Sequence, residues 1–397
     1  MTFIDQRGSP DMLKASADRA LSAGDPAGAI PLFEQAAAAA PDRLDIWLGL
    51  AASRRAVGDS ERSLQAIDRA LNVDPRCYPA LLMKGSLLES LGQPKAAATI
   101  YADALSIAPD EGGMPGPMQR ATVHARELRD RYQAELVDVL RSAAGFGAGG
   151  PTTSERRRIE TFIDFMTGRR KIYHSEPPRF YYPGLPSIEF FERDEFPWLA
   201  DLEGRTQDIR AEAMAVWTEG SSELRPYVQY PESMPLDQWV ELNHSLEWSV
   251  YDLLKDGEAI PDHCAQCPKT MAALEGLGQP KVPGRSPTAL FSILRPRTRI
   301  PPHNGVTNTR LLVHLPLVIP EDCGFRVGGE TRAWRVGEAL VFDDTIEHEA
   351  WNGSDKPRAV MICDIWNPRV PMADREVIAA LMAELDRFNG AASFEVR

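Results

Sequence analysis

The chain has 397 residues, room for two to three domains of roughly 100–200 residues each. Apolar residues make up 43% and charged residues 25%, enough for a sizeable core and too apolar for global disorder. The formal charge of −13 argues against a general nucleic-acid binder, though it leaves room for one basic pocket. The polar, mixed-charge start Met1–Asp11 and the lack of any apolar run of about 18 residues predict a cytoplasmic protein with no membrane span. Five scattered cysteines, Cys77, Cys264, Cys267, Cys323 and Cys363, do not read as a disulfide framework.

The first third is periodic. Pro41, Pro75 and Pro109 are 34 residues apart, as are Gly24, Gly58 and Gly92. Small residues recur in the same phase at Ala17, Ala51 and Gly85, at Ala29, Ser63 and Ala97, and at Ala36, Ala70 and Ala104. Phe33, Ile67 and Tyr101 follow suit. This period predicts three tetratricopeptide units, an α-solenoid in which small residues let paired helices approach and Gly turns the chain between them. The polar stretch Met118–Leu140 is expected to cap the stack, giving a repeat domain over 10–141. Its expected task is to hold a peptide or protein partner, the alternative being dimerisation or stabilisation alone.

Ser142–Pro151 is rich in Gly and Ala and predicts a linker over 142–152, with a second domain over 153–397. Glu155–Thr167 reads as an amphipathic helix, and Pro177–Pro186 as irregular chain. Asp201–Glu219 reads as one helix ending at Gly220. From Thr288 onward, short β-rich runs appear at Leu290–Leu294, Leu311–Leu317, Ala339–Phe342 and Ala359–Ile365. Turn residues such as Gly328-Gly329 and Asn352-Gly353 separate them, which predicts a sandwich or jelly roll with its core over about 285–370.

Of the seven histidines, His303, His314 and His348 fall in this β region. Two histidines on different strands can meet at the open end of a barrel, and an imidazole pair with vacant positions suits non-haem Fe(II). No Asp or Glu occurs from Gly276 to Pro320, a stretch that carries Lys281, Arg285, Arg295, Arg297, Arg299 and Arg310. That stretch reads either as a lining for dicarboxylates or as a basic solvated face, and the alternation Arg295-Pro-Arg297-Thr-Arg299 puts three of its members on one side. Arg358, ten residues after His348, could point back into the barrel from a return strand and pair with a carboxylate, with Ser292 donating to the same group.

Three segments then resemble the aspartyl/asparaginyl β-hydroxylase family: Ser292–Pro302, the run His303-Asn-Gly-Val-Thr-Asn-Thr-Arg310-Leu-Leu-Val-His314, and Phe342-Asp-Asp-Thr-Ile-Glu-His348-Glu-Ala-Trp351. The resemblance covers about 247–370. It implies a double-stranded β-helix (jelly-roll, cupin-like) oxygenase domain using Fe(II), 2-oxoglutarate and O₂. By position it implies His303 and His348 as iron ligands and Ser292, His314 and Arg358 as 2-oxoglutarate contacts, with Arg358 also catalytic. Most related oxygenases place an Asp two residues after the first ligand; the family lacks it, and here the position is Gly305. Asp343 and Asp344 are expected to support the site. Arg310 is expected to meet an anionic substrate, but Leu312 stands where animal members carry a second Arg. Cys264-x-x-Cys267 reads as a disulfide, a thiol pair or half a zinc site.

The expected function is thus β-hydroxylation of Asp or Asn in a peptide or protein recruited by the repeats. The alternatives are the same chemistry on a free amino acid or acyl chain, and a repeat scaffold with an inactive cupin-like domain. Oligomeric state is not legible.

Overall fold

The computed structural model describes residues 8–145, 153–217, 223–231, 233 and 235–389. The chain divides after Thr167 into two compact units.

The first unit is helical: α1 (Pro10–Ser22), α2 (Pro26–Ala39), α3 (Leu44–Ala56), α4 (Ser60–Val73), α5 (Tyr78–Ser90), α6 (Pro94–Ser106), α7 (Gly116–Ala143) and α8 (Thr153–Met166). Helices pair as α1–α2, α3–α4 and α5–α6, one pair per 34-residue repeat. The turns are made by Gly24, Gly58 and Gly92 at φ +80°, +81° and +72°, where L side chains are strained. Asp25 and Asp59 then cap the following helices, accepting from the backbone N–H of Gly28 at 2.8 Å and of Arg62 at 3.2 Å. The repeated small and large apolar positions are all buried, and Ser63 satisfies its hydroxyl by donating to the Ala51 carbonyl at 2.9 Å. A Cβ at Gly85 would overlap the ring of Tyr101, so the third repeat needs Gly where the first two carry Ala.

The capping helix is α7, joined to the stack by Tyr78 Oη and Thr122 Oγ1 at 2.6 Å. Ser142 and Ala143 finish α7, while residues 146–152 of the expected linker lie outside the described residues. Helix α8, expected to open the second domain, belongs to the first unit. Arg141 pairs with Glu160 at 2.9 Å, and the Gln133 side chain donates to the Thr167 carbonyl.

The second unit holds α9 (Leu199–Gly204), α10 (Thr206–Val216), β1 (Arg225–Pro226), β2 (Trp248–Lys255), β3 (Glu258–Ala259), α11 (Pro261–Gln266), α12 (Pro268–Leu274), β4 (Ala289–Leu294), β5 (Thr298–His303), β6 (Arg310–Val318), β7 (Cys323–Val327), β8 (Glu330–Arg332), β9 (Leu340–Phe342), β10 (His348–Asn352), β11 (Arg358–Trp366) and α13 (Met372–Asn389). The helix expected over 201–219 is two helices, broken at Arg205 after Gly204, where Thr206 Oγ1 donates to the Glu203 carbonyl at 2.6 Å. Its expected end at Glu219 and Gly220 lies outside the described residues.

The strands form two antiparallel sheets. The larger runs β1-β2-β4-β11-β6-β9, with β3 on β2; the smaller runs β5-β10-β7-β8. Period-2 alternation gives the large sheet two apolar faces. Leu311, Val313, Leu315, Met361, Cys363 and Phe291 face α9, α10 and α12. Trp248, Leu294 and Val360 face the small sheet and meet Ile300, Phe325, Val327 and Ala350 from it. The same alternation turns Ser292, Arg310, Leu312, His314 and Arg358 toward the interior between the sheets.

Candidate functional site

Strand β5 contains Pro301-Pro302, which the centre of a sheet would not tolerate; it is an edge strand. Its last residue, His303, lies directly opposite His348, the first residue of β10. The two imidazole rings are 4.0 Å apart, centroid to centroid. Each is oriented by its own backbone. His303 Nδ1 bonds the Pro301 carbonyl at 2.8 Å, and His348 Nδ1 bonds the Ile346 carbonyl at 3.1 Å. A carbonyl only accepts, so both Nδ1 atoms carry the proton and both Nε2 atoms keep a lone pair. Burial pushes His303 down to about 4 and holds His348 well below the ordinary imidazole range, where its neighbour His303 adds to the effect. Both rings are therefore neutral at pH 7, the form that ligates a metal. Among the described residues no cluster of three or more His, Cys, Asp or Glu is placed to hold a metal. Two preoriented neutral imidazoles fit the donor chemistry of Fe(II) with several positions left to other ligands.

At Gly305 the structure explains the missing carboxylate. A Cβ there would overlap the Asp344 side chain, whose own carbonyl accepts from the Gly305 N–H at 2.6 Å. The space that an Asp at 305 would use is filled from the other sheet-connecting segment. Burial, with Asp364 adding to it and Arg310 opposing, raises Asp344 to about 6. Asp343 is raised to about 7 by burial and bonds the Thr345 N–H at 3.0 Å.

A second cluster lies on the large sheet. Arg358, 1% exposed, is among the largest fully buried side chains. Its guanidinium stacks over Trp334 at 4.5 Å and donates from Nη1 to Ser292 Oγ at 3.3 Å. No carboxylate pairs with it among the described residues, and its Nε has no hydrogen-bond partner. Burial lowers it to about 10. His314 Nδ1 and Trp334 Nε1 are likewise buried without a partner, and the His314 and Trp334 rings are 6.1 Å apart. A buried, uncompensated cation ringed by unsatisfied polar atoms is costly unless an anion completes it. Phe342 joins the two clusters, 4.7 Å from the His314 ring and 5.7 Å from that of His348.

Arg310 is also interior, but it is already paired, with Asp364 at 3.3 Å and Asp344 at 3.6 Å. Asp364 accepts in addition from the Thr288 N–H at 2.9 Å and from Ser286. Of the basic stretch 281–310, Arg310 alone faces the interior. Arg295, Arg297, Arg299 and Lys281 are exposed, and Arg285 is buried against Asp386. The reading of that stretch as a pocket lining is thus corrected: Arg295, Arg297 and Arg299 alternate outward, Arg285 and Arg310 are paired with Asp, and the buried cation with no carboxylate partner among the described residues is Arg358. Cys264 and Cys267 are free thiols, and burial pushes Cys267 up to about 12. His263 stacks on Tyr251 at 4.1 Å and bonds the Asp252 carbonyl, while His244 bonds the Tyr230 carbonyl; both serve structure. Sequence reasoning missed Trp334, whose one signal is an aromatic residue inside the charged turn-like run 330–338.

Residues 203–368 match the model for aspartyl/asparaginyl beta-hydroxylase, and residues 20–84 and 78–111 match tetratricopeptide repeat models. The chain carries an aspartyl/asparaginyl β-hydroxylase domain behind tetratricopeptide repeats. This β-hydroxylase domain is 32% identical over 212 residues to aspartate beta-hydroxylase domain-containing protein 2 of Xenopus tropicalis, covering 52% of this chain and 55% of that one. Human aspartyl/asparaginyl beta-hydroxylase is 27% identical over 374 residues, 89% of this chain and 47% of its own. The ornithine lipid ester-linked acyl 2-hydroxylase of Rhizobium tropici is 34% identical over 190 residues, 47% of this chain and 63% of its own. The chain thus spans about half the length of the first of these relatives, all of which are named for hydroxylation. Among solved structures, the repeats are similar to the Sgt2 tetratricopeptide domain of Aspergillus fumigatus, at 25% identity and TM-score 0.27 over 32% of this chain and 81% of that one. No helix among the described residues is long and apolar enough to cross a membrane.

Proposed function

We propose that the β-hydroxylase domain is a jelly-roll oxygenase that uses Fe(II), 2-oxoglutarate and O₂ to hydroxylate the β-carbon of Asp or Asn in a peptide or protein. The observation that carries this reading is Arg358, a wholly buried cation with no carboxylate partner among the described residues, stacked on Trp334, whose ring Phe325 joins at 5.2 Å while lying 6.3 Å from that of His348. When bound, iron with 2-oxoglutarate and O₂ supplies the oxidant that turns C–H into C–OH. The Nε2 atoms of His303 and His348 would hold the metal. Arg358 and Ser292 would anchor the far carboxylate of 2-oxoglutarate, with His314 beside it. Phe325, Phe342 and Trp334 keep water from these groups.

Arg310 is proposed to meet the substrate's carboxylate, and since two Asp side chains already neutralise it, the substrate must share or displace them. Its test is Arg310→Ala: KM for an acidic substrate should rise, and an unchanged KM would contradict the role. The repeat array is proposed to recruit the substrate. One observation favours a second reading, in which the target is a free amino acid or acyl chain. Leu312, half-buried, stands between Arg310 and His314 on the interior face of β6 and offers an apolar wall. The similarity to an acyl 2-hydroxylase points the same way.

Incubation with Fe(II), 2-oxoglutarate and a panel of Asp/Asn peptides, free amino acids and acyl lipids separates the two. One added oxygen on an Asp or Asn β-carbon supports the first reading. Oxygen found only on an acyl chain or a free amino acid replaces it with the second.

A further inference from the structure

Helix α13 is fastened to its unit near both ends. It buries Ile378 and Met382 against Val282, Val306 and Val370. Tyr182 Oη donates to Asp374 in its first turn, and Arg285 Nε donates to Asp386 near its end at 2.7 Å. The Arg285 guanidinium also lies over the Phe180 ring at 4.7 Å. The helix is therefore preorganised before anything binds to it.

The neighbouring face of the same helix is apolar and largely bare. Val377, Leu381, Leu385 and Phe388, spaced by four, four and three residues, form one stripe on a helix of 3.6 residues per turn. They are 56%, 65%, 43% and 86% exposed. Beside Leu381 and Leu385 runs a groove of about 310 Å³ whose far wall is Phe180, Tyr181 and Tyr182. At a rise of 1.5 Å per residue the stripe is about 16 Å long. A small ligand in the groove would leave its two ends, Val377 and Phe388, in water.

The area suits a second copy. The four side chains leave on the order of 400 Å² of apolar surface bare, at the upper range of what a monomer shows in one patch. Two such faces would bury about 800 Å² of apolar surface. Apolar atoms make up about 65% of a homodimer interface, so the whole contact would reach about 1,200 Å², where specific interfaces begin.

The stripe is also self-complementary. A two-fold axis near Leu385 runs the two helices antiparallel and sets Phe388 of each copy against Leu381 of the other. Such an axis brings like flanks of the helices together. One flank carries Glu384 and Arg387, which pair with each other within the chain. In the dimer each Glu384 would also stand beside the other copy's Arg387, an arrangement of complementary charge. We infer that α13 is the face by which two copies of this chain associate, with Phe388 of each as the anchor.

The test is the mass of the full chain by sedimentation velocity from about 1 to 100 µM, since a dimer forms by mass action. Wild type should rise from 43.9 kDa toward twice that mass as concentration increases. Phe388→Glu should raise the dissociation constant about 30-fold or more, as loss of an aromatic anchor does. Glu384→Arg and Arg387→Glu, both at exposed positions, should each weaken association, because like charges then meet at the axis. An equimolar mixture of those two variants should associate at least as well as wild type, since opposite charges then face each other. A wild type that stays monomeric, a Phe388→Glu protein that dimerises like wild type, or a mixture no better than its components would overturn the inference. A monomeric wild type that binds anilinonaphthalene sulfonate, with the binding lost in Leu381→Glu, would also overturn it and give the face to a small apolar ligand.

Discussion

Replacing Arg358 by Met separates ligand binding from folding, because the two should move in opposite directions. The side chain is 1% exposed and its guanidinium is pulled from the usual 12.5 down to about 10 by burial. A depression of that size corresponds to about 3 kcal/mol of cost for keeping the charge inside, at about 1.4 kcal/mol per pH unit. Against this stand the stacking on Trp334, worth about 1–2 kcal/mol when desolvated, and one hydrogen bond to Ser292, worth about 1 kcal/mol. Met fills a similar volume without charge. The ligand-free Arg358→Met protein should therefore be as stable as wild type or more so by up to about 1 kcal/mol, as buried ions replaced by apolar residues can be. N-oxalylglycine, an unreactive analogue of 2-oxoglutarate, should no longer bind. Urea unfolding after chelator treatment, followed by the second unit's tryptophan fluorescence, reads the first quantity, and calorimetry reads the second. A loss of several kcal/mol in the ligand-free protein would show that Arg358 is compensated in a way the structure does not show. Retained N-oxalylglycine binding would refute its assignment as the anion anchor.

Gly305→Asp, which restores the carboxylate common in related oxygenases, should fail: the new side chain meets the Asp344 carboxylate, and overpacking of this kind costs about 1–3 kcal/mol before charge repulsion is added. Urea unfolding should show that loss, and unchanged stability would mean Asp344 moves freely. In the first unit, Gly85→Ala should lower stability by about 1–3 kcal/mol because its Cβ overlaps the Tyr101 ring, measured by helix signal on heating; a neutral result would mean the ring can shift. Burial raises Cys267 to about 12, so its thiolate is scarce at pH 8 and native protein should resist iodoacetamide there. Reactivity should rise as pH climbs toward that value, and rapid labelling at pH 8, seen by peptide mass, would contradict the buried position.

Much of this arrangement is legible from residues alone. The repeats announce themselves because every turn of a solenoid meets the same packing problem, so Ala17, Ala51 and Gly85 recur in phase. Four of the interior strands read as apolar runs because both faces of the large sheet are covered. Strand β2 does not, since Asp252 and Lys255 interrupt it, and Asp252 is accommodated only by its pairing with Arg225 at 2.9 Å. Strand β5 is hidden by Pro301-Pro302, which mark an edge instead of a loop. The imidazole pair is foreseeable in residue type, but its tautomer depends on the carbonyls of Pro301 and Ile346, which no spacing rule reveals. Likewise the acid-free stretch 276–320 suggested a basic lining, whereas strand alternation sends Arg299 outward, and the buried cation without a carboxylate partner among the described residues is Arg358, 48 residues after Arg310. Trp334 becomes part of the site only through the third dimension.

The central claim is that two neutral imidazoles and one buried guanidinium support 2-oxoglutarate-dependent oxidation. Succinate formation from 2-oxoglutarate in air, with and without Fe(II), tests it most directly, using the full chain beside His303→Ala and His348→Ala. The account predicts Fe(II)-dependent succinate from wild type, stimulated by the right substrate, and none from either variant. Equal succinate from all three proteins, or no succinate together with no binding of Fe(II) or 2-oxoglutarate, would contradict it.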